Sequence, residues 1–190
     1  MKTLMKEEIL GNKERFLKEI EKGAVFIHPT DTIYGIGCNA TDSKCVEKIR
    51  EIKKRQEMPF SIIAPSKNWI YGNCIVAGDA KEWIKKLPGP YTLILKLKNK
   101  KAIADNVNLG AETIGVRIPK HWISKFVQEL NMPVVSTSAN ITGEDFMTSL
   151  ANMDRTIKRK VDFIIYEGEK KGKPSTLVKL FDEKAEVIER

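Results

Sequence analysis

Residues 25–37, Val-Phe-Ile-His-Pro-Thr-Asp-Thr-Ile-Tyr-Gly-Ile-Gly, constrain the fold more than any other stretch of this chain. Val25, Phe26 and Ile27 read as a short buried strand. Pro29 halts it, because proline lacks the N–H that a central strand must donate. Thr30, Asp31 and Thr32 follow at once, and Tyr34, Gly35 and Gly37 then supply an aromatic wall and a backbone able to approach a ligand closely. Open α/β sheets place ligands at polar, glycine-bearing turns of this kind beyond a strand end. Taken alone, the stretch reads equally well as a β-turn with helix-capping residues, so the rest of the chain decides.

The remainder alternates helix and strand patterns. Phe16, Leu17 and Ile20 mark one face of a helix over about 12–22, stopped by Gly23. From Asp42, an N-cap residue, Val46, Ile49 and Ile52 make a second amphipathic helix that ends in Lys53-Lys54-Arg55. Pro59 opens a strand over 60–64. A short helix with Trp69 and Ile70 and a further helix over 79–86 precede the turn Leu87-Pro-Gly-Pro90. Strands follow over 91–97, over 113–119 with Arg117 near its end, and over 132–137; Trp122, Phe126, Val127 and Leu130 face one way on the helix between the last two. A helix is expected over 148–157, and late strands over 161–166 and 175–181. Residues 98–112 read as a long connection, a kind that often carries function. The pattern predicts one α/β domain without repeats or linkers.

Composition narrows the class. Hydrophobic content of 42% and charged content of 31% over 190 residues fit a globular chain with a proper core, not a disordered one. No run approaches the ~20 apolar residues of a membrane helix, and the N-terminus has no apolar segment of a signal peptide; a cytoplasmic protein with no membrane partner is expected. Three cysteines without Cys-x-x-Cys spacing and two distant histidines, His28 and His121, make neither a structural zinc site nor a disulfide framework. The net charge of +8 favours anionic partners such as nucleotides, phosphates or RNA, and equally fits a lysine-rich solvated surface.

Polar groups recur where strands end: Thr30-Asp-Thr32, Arg117, and Ser136-Thr-Ser-Ala-Asn140. Such positions converge on one side of an α/β sheet, and Lys53, Lys54 and Arg55 can reach the same cleft from a helix end. Hydroxyls and an amide suit a small polar substrate, while lysine and arginine suit a polyphosphate. Each element also has a plainer reading. A basic helix C-terminus complements the helix dipole, and Ser-x-Asn after a strand caps or turns the chain. Neither familiar phosphate loop occurs, and Ser138 with His121 or His28 lacks the context of a nucleophile elbow.

Together these stretches resemble the YrdC/TsaC family of threonylcarbamoyl-AMP synthases. The matches run in order: Pro29-Thr-Asp-Thr-Ile-Tyr-Gly-Ile-Gly37, Lys53-Lys-Arg55, Gly89-Pro-Tyr-Thr-Leu-Ile-Leu95, Gly115-Val-Arg-Ile-Pro119, Ser138-Ala-Asn140 with Gly143, and Ser175-Thr-Leu-Val178. The resemblance implies a single YrdC-like domain over residues 1–190, without the extra C-terminal domain of longer members: a twisted mixed α/β sheet flanked by helices, with a basic concave cleft. The implied reaction joins L-threonine, bicarbonate or CO2 and ATP into threonylcarbamoyl-adenylate and pyrophosphate. A partner tRNA threonylcarbamoyl transferase then modifies the adenosine beside the anticodon.

Carried over by the same resemblance, Thr32, Arg117, Ser136 and Ser175 bind threonine. Lys53, Arg55, Thr113, Ser138, Asn140 and Arg190 bind ATP, and Lys53, Arg55 and Arg117 act in catalysis. Mg2+ is expected mainly on the phosphates of ATP, with no dedicated protein metal site. The chain departs from the family after Arg55: Gln56-Glu-Met-Pro59 is one residue shorter and lacks an asparagine, and residues 60–64 lack a histidine found in longer members. An alternative from another class is a module that binds double-stranded RNA or tRNA in the basic cleft without chemistry, although no RRM signature is present. A carbamoyl-adenylate-forming relative is a further alternative that the chain length disfavours.

Overall fold

The computed structural model describes residues 2–182 and 184–189. In chain order it comprises β1 (Lys2–Leu4), α1 (Lys6–Gly11), α2 (Lys13–Glu21), β2 (Phe26–His28), β3 (Gly35–Gly37), α3 (Ser43–Lys53), β4 (Ser61–Ile63), α4 (Lys67–Asn73), α5 (Ala80–Lys85) and β5 (Tyr91–Lys96). A 3-10 turn at Lys100–Ala102 leads to α6 (Asp105–Asn108), β6 (Thr113–Arg117), α7 (Ile123–Leu130), β7 (Val134–Ser138), α8 (Arg155–Lys160), β8 (Phe163–Ile165), β9 (Thr176–Lys179) and β10 (Glu186–Ile188). One sheet in the order β1-β8-β2-β3-β7-β4-β6-β5-β9-β10 joins the strands. Its pairings mix parallel (β8 with β2, β4 with β6, β5 with β9) and antiparallel (β2 with β3, β3 with β7, β7 with β4, β5 with β6). The mixed α/β sheet expected from the sequence is what the chain forms.

Residues paired across strands share a face, so the register divides the sheet cleanly. On one face Ile27, Ile36, Val135, Ile62, Val116 and Leu93 belong to a core completed by Val46, Ile49 and Ile52 of α3, Ile70 of α4, Ile84 of α5 and Ile157 of α8. The opposite face changes character along its strands. At one end Phe26, Val134 and Ile63 pack under Phe16 and Ile20 of α2 and Ile123, Phe126, Val127 and Leu130 of α7. Two residues further along, Ser136 pairs with Ser61, Ser61 with Gly115, and Gly35 with Ser138. Fully burying each large apolar side chain of the first set contributes about 1.5–3 kcal/mol; the hydroxyls of the second set draw no cover. A cleft therefore opens over them.

Several elements differ from their sequence patterns. The helix expected over 148–157 forms only as α8, because Asn152 Oδ1 accepts from the amides of Thr148 and Ser149 at 3.0 and 2.9 Å and holds a turn there. Asp154 then caps the helix through the amides of Thr156 and Ile157. The connection over 98–112 contains the 3-10 turn and α6. Strands β1, β3 and β10 and helix α1 carry too little periodicity to be read in advance. In β3 the glycines serve the fold as well as the cleft: a Cβ at Gly35 would lie 2.8 Å from the His28 ring, and one at Gly37 would lie 2.6 Å from the Val135 carbonyl.

Candidate active site

The cleft encloses about 140 Å3 above the polar part of the sheet. Its floor is Ser61 of β4, Ser136 to Ser138 of β7 and Gly35 of β3. Thr92 of β5 and Arg117 of β6 bound one end, Arg55 and Pro59 the other, and Tyr34, Phe146, Pro174 and Ser175 form walls. Of the residues proposed from the sequence, Arg55, Arg117, Ser136, Ser138 and Ser175 line this one space. Thr32, Lys53 and Asn140 stand directly behind it through contacts with lining residues. Thr113 shares the sheet face, two residues before Gly115, outside the lining. Arg190 lies outside the described residues.

Arg117 is held at the end of β6 by its neighbours. Its Nη2 donates to Asp31 Oδ1 at 2.7 Å and to Thr32 Oγ1 at 3.3 Å. Asp31 Oδ2 in turn accepts the Lys120 amide at 2.7 Å. Arg117 and Asp31 are 7% and 11% exposed, so this is a buried, hydrogen-bonded pair. The turn after β2 is internally tied: Thr30 Oγ1 donates to the Ile33 carbonyl at 2.7 Å and lies 3.0 Å from Thr32 Oγ1. These hydrogen bonds make the stretch a tied turn, and the turn geometry aims Thr32 at Arg117.

A strap of residues 167–175 crosses this end of the cleft between β8 and β9. Tyr34 Oη donates to the Gly168 carbonyl at 2.6 Å and accepts the Glu167 amide at 3.1 Å, and burial raises the Tyr34 pKa to about 12. The Glu167 carboxylate meets His121 Nε2 at 2.7 Å, Trp122 Nε1 at 2.8 Å and Lys170 Nζ. Burial pushes its pKa up, yet hydrogen bonds from Lys170, Trp122 and His121 outweigh this and hold it below the ordinary carboxylate value. Gly172 lies so close to the Thr32 carbonyl that a methyl would collide with it. The strap delivers Ser175, whose Oγ lies 2.7 Å from Thr92 Oγ1.

At the other end the structure corrects one expectation. A basic helix end that complements the dipole or reaches into a cleft would leave Lys53 accessible; it is 1% exposed, because the chain after β7 folds over it. Its Nζ donates to the Ser138 carbonyl at 2.5 Å, the Asn140 carbonyl at 2.6 Å and Asn140 Oδ1 at 3.2 Å. Burial, and then the charge of Arg55, lower its pKa to about 7. Ser138 Oγ donates to Asn140 Oδ1 at 2.6 Å, so Lys53 and Ser138 together orient the asparagine. Lys54 ends α3 in the left-handed conformation (φ 51°) and redirects the chain, so that Arg55 turns back toward the cleft, donating from Nη2 to the Pro59 carbonyl at 3.0 Å.

Sequence reasoning assigned no role to Ser61 or Thr92, and named Asp31 only among the polar groups at strand ends, without its pairing to Arg117. A serine inside the apolar run Phe60-Ser-Ile-Ile was the available signal for the first. His28 is fully buried under the glycines of β3, and burial lowers its pKa to about 3, so it stays neutral and structural. Among the described residues, no cluster of three His, Cys, Asp or Glu side chains is spaced for a metal ion. No helix among them is long and apolar enough to cross a membrane.

Comparison with known proteins places the fold. Residues 18–190 match the Sua5/YciO/YrdC family model, whose description reads "Telomere recombination". A Methanocaldococcus jannaschii protein provisionally named threonylcarbamoyl-AMP synthase is 41% identical over 185 residues, 95% of this chain and 86% of its own length. The threonylcarbamoyl-AMP synthase of Pyrococcus abyssi is 31% identical over 166 residues, 85% of this chain; the match spans only 48% of that longer protein. The crystal structure of Pyrococcus abyssi Sua5 complexed with L-threonine superposes with a TM-score of 0.83 at 28% identity, covering 97% of this chain and 55% of that one. Escherichia coli YciO superposes with a TM-score of 0.84 at 25% identity and covers 98% and 93%.

Proposed function

The chain belongs to the Sua5/YciO/YrdC family, and on that premise we propose that it is a threonylcarbamoyl-AMP synthase, converting L-threonine, bicarbonate or CO2 and ATP into threonylcarbamoyl-adenylate and pyrophosphate. The observation that carries this reading is the division of one cleft into two chemically different ends. The Arg117, Asp31 and Thr32 end suits a zwitterion: the guanidinium meets the threonine carboxylate, and hydroxyls of Thr32, Ser136 and Ser175 pair with its remaining polar groups. The Arg55, Ser138 and Asn140 end, with Lys53 buried behind it and Thr113 further along β6, suits a polyphosphate.

The reaction asks for little beyond this. Threonine amine and dissolved CO2 form a carbamate without an enzymatic base. Its carboxylate then attacks the α-phosphorus of ATP in line while charge builds toward pyrophosphate. Positioning and cationic stabilisation are the protein's share. Neither histidine is needed: His28 is buried and neutral beside the glycines of β3, and His121 is tied to Glu167 outside the cleft lining. Asp31, the carboxylate paired with Arg117 among the described residues, already serves that guanidinium and the Lys120 amide. Mg2+, if bound with ATP, would be held mainly by the phosphates and would supply countercharge there. A pocket built of hydroxyls selects threonine over analogues lacking its hydroxyl, because such analogues leave buried polar groups unpaired. In the cell the product would pass to a transferase that modifies tRNA, in the cytoplasm.

Pyrophosphate release by the purified protein with ATP, Mg2+ and bicarbonate tests this directly. Threonine-dependent release, with serine much poorer, is expected. No release with any amino acid, accompanied by salt-sensitive binding of double-stranded RNA or tRNA, would replace the synthase by a binding module.

A further inference from the structure

Arg50 sits on α3, one turn before Lys53, and looks in sequence like a solvated charge. It is 1% exposed. Its guanidinium runs under the chain that leaves the helix and makes hydrogen bonds in two directions. Nη1 donates to the carbonyls of Arg55 at 2.9 Å, Met58 at 3.1 Å and Gln56 at 3.5 Å. Nε and Nη2 donate to the Asn106 carbonyl at 2.8 and 2.6 Å, and Nη2 also to the Val107 carbonyl at 3.3 Å. The guanidinium carbon lies 4.4 Å from the centre of the Phe60 ring, and that of Arg55 lies 5.5 Å from the same ring. The Arg50 carbonyl accepts the Arg55 amide at 3.0 Å, so Arg50 grips Arg55 by backbone and side chain alike.

We infer that Arg50 is a positioning residue for the nucleotide end of the cleft, fixing the loop 55–59 from below and through it the direction of Arg55. The inference rests on the synthase reading above. Residues 54–60 belong to no helix or strand, so their carbonyls need partners from elsewhere. One planar fork satisfies three of them and bridges to α6, which a point-like ammonium cannot do. The loop Gln56-Glu-Met-Pro59 is also the segment that departs from the family pattern. Its short form is held by an internal side chain, which leaves Arg55 facing the cleft with Pro59 beside it.

Steady-state kinetics of threonine-dependent pyrophosphate release separate this role from plain stability. Arg50→Lys is expected to raise KM for ATP roughly tenfold, in line with the loss caused by a misplaced binding group, while KM for threonine stays within about twofold. A variant that is merely less stable loses active fraction and leaves both KM values where they were. In Arg55→Ala, which lacks the group being positioned, adding Arg50→Lys should cost no further ATP affinity. Phe60→Leu keeps an apolar side chain in the core but removes the ring under both guanidinium groups, and should raise KM for ATP roughly threefold; it keeps the test open if Arg50→Lys does not fold. Unchanged KM for ATP in the folded variants, or equal shifts for both substrates, overturns the role of Arg50. Absence of threonine-dependent release from the wild-type protein instead overturns the synthase reading.

Discussion

The two ends of the cleft handle buried positive charge differently. At the end proposed for threonine, Arg117 is matched with the carboxylate of Asp31 within a set of hydroxyls. At the end proposed for the nucleotide, the hydrogen bonds of Lys53 and Arg50 go to neutral oxygens: carbonyls in both cases, and the Asn140 amide. The first arrangement keeps the guanidinium desolvated and aimed while a carboxylate balances it, which suits a substrate that brings one charge of each sign. The second surrounds its cations with dipoles, and burial lowers the Lys53 pKa to about 7. Both fix a cation, but among the described contacts only the first pairs it with a carboxylate.

The largest way to break this contrast is to unpair Arg117. Asp31→Asn leaves a buried guanidinium without its carboxylate. The variant should lose about 3 kcal/mol in urea denaturation, and kcat/KM for threonine should fall roughly hundredfold. A small change in both would show that Asp31 is not the partner that matters. Next in size, Gly172→Ala pushes the strap away from the Thr32 carbonyl. It is expected to raise KM for threonine roughly tenfold while ATP is little affected, which steady-state assays with each substrate varied in turn will show.

Lys53→Met probes the other end. It releases the Ser138–Asn140 turn and should raise KM for ATP a fewfold. Its pH behaviour sharpens the comparison. The Lys53 pKa is lowered to about 7 in the folded protein from an ordinary value of 10.5, so between these values the unfolded chain binds more protons than the folded one. Stability contributed through Lys53 therefore rises as pH increases across that window, and below pH 7 the burial of the ammonium weighs in full. Denaturation midpoints of wild type and Lys53→Met should draw apart in favour of the wild type from pH 7 to 9. A constant difference would mean that the lysine keeps its proton throughout. The smallest effect is at the adjacent residue: Lys54→Gly relieves the left-handed backbone at φ 51° and should add about 0.5 kcal/mol, with both KM values unchanged.

These particulars show which parts of the site were readable in advance. Arg117, Ser136 and Ser138 follow apolar runs that could only be strands, and strand ends meet on one side of a sheet, so their convergence was legible. Arg55 and Ser175 were marked by their place in ordered motifs. Lys53 and Arg50 were not legible as buried groups. Helical periodicity separates charged from apolar positions, and it cannot foresee that residues 138–142 or 106–107, which arrive much later in the chain, will close over a charged face. Strand β3 was hidden for a related reason: Gly-Ile-Gly has little strand preference of its own and pairs because His28 needs the room that two missing side chains leave.

Sequence alone determined the alternation of helices and strands, the mixed α/β class, the family and the inventory of hydroxyls and cations, because these depend on local pattern and on motifs in order along the chain. Tertiary structure decided which cations face the cleft and which are turned inward as braces. That choice depends on carbonyl groups, which every residue carries, and no local pattern records where the fold will bring them.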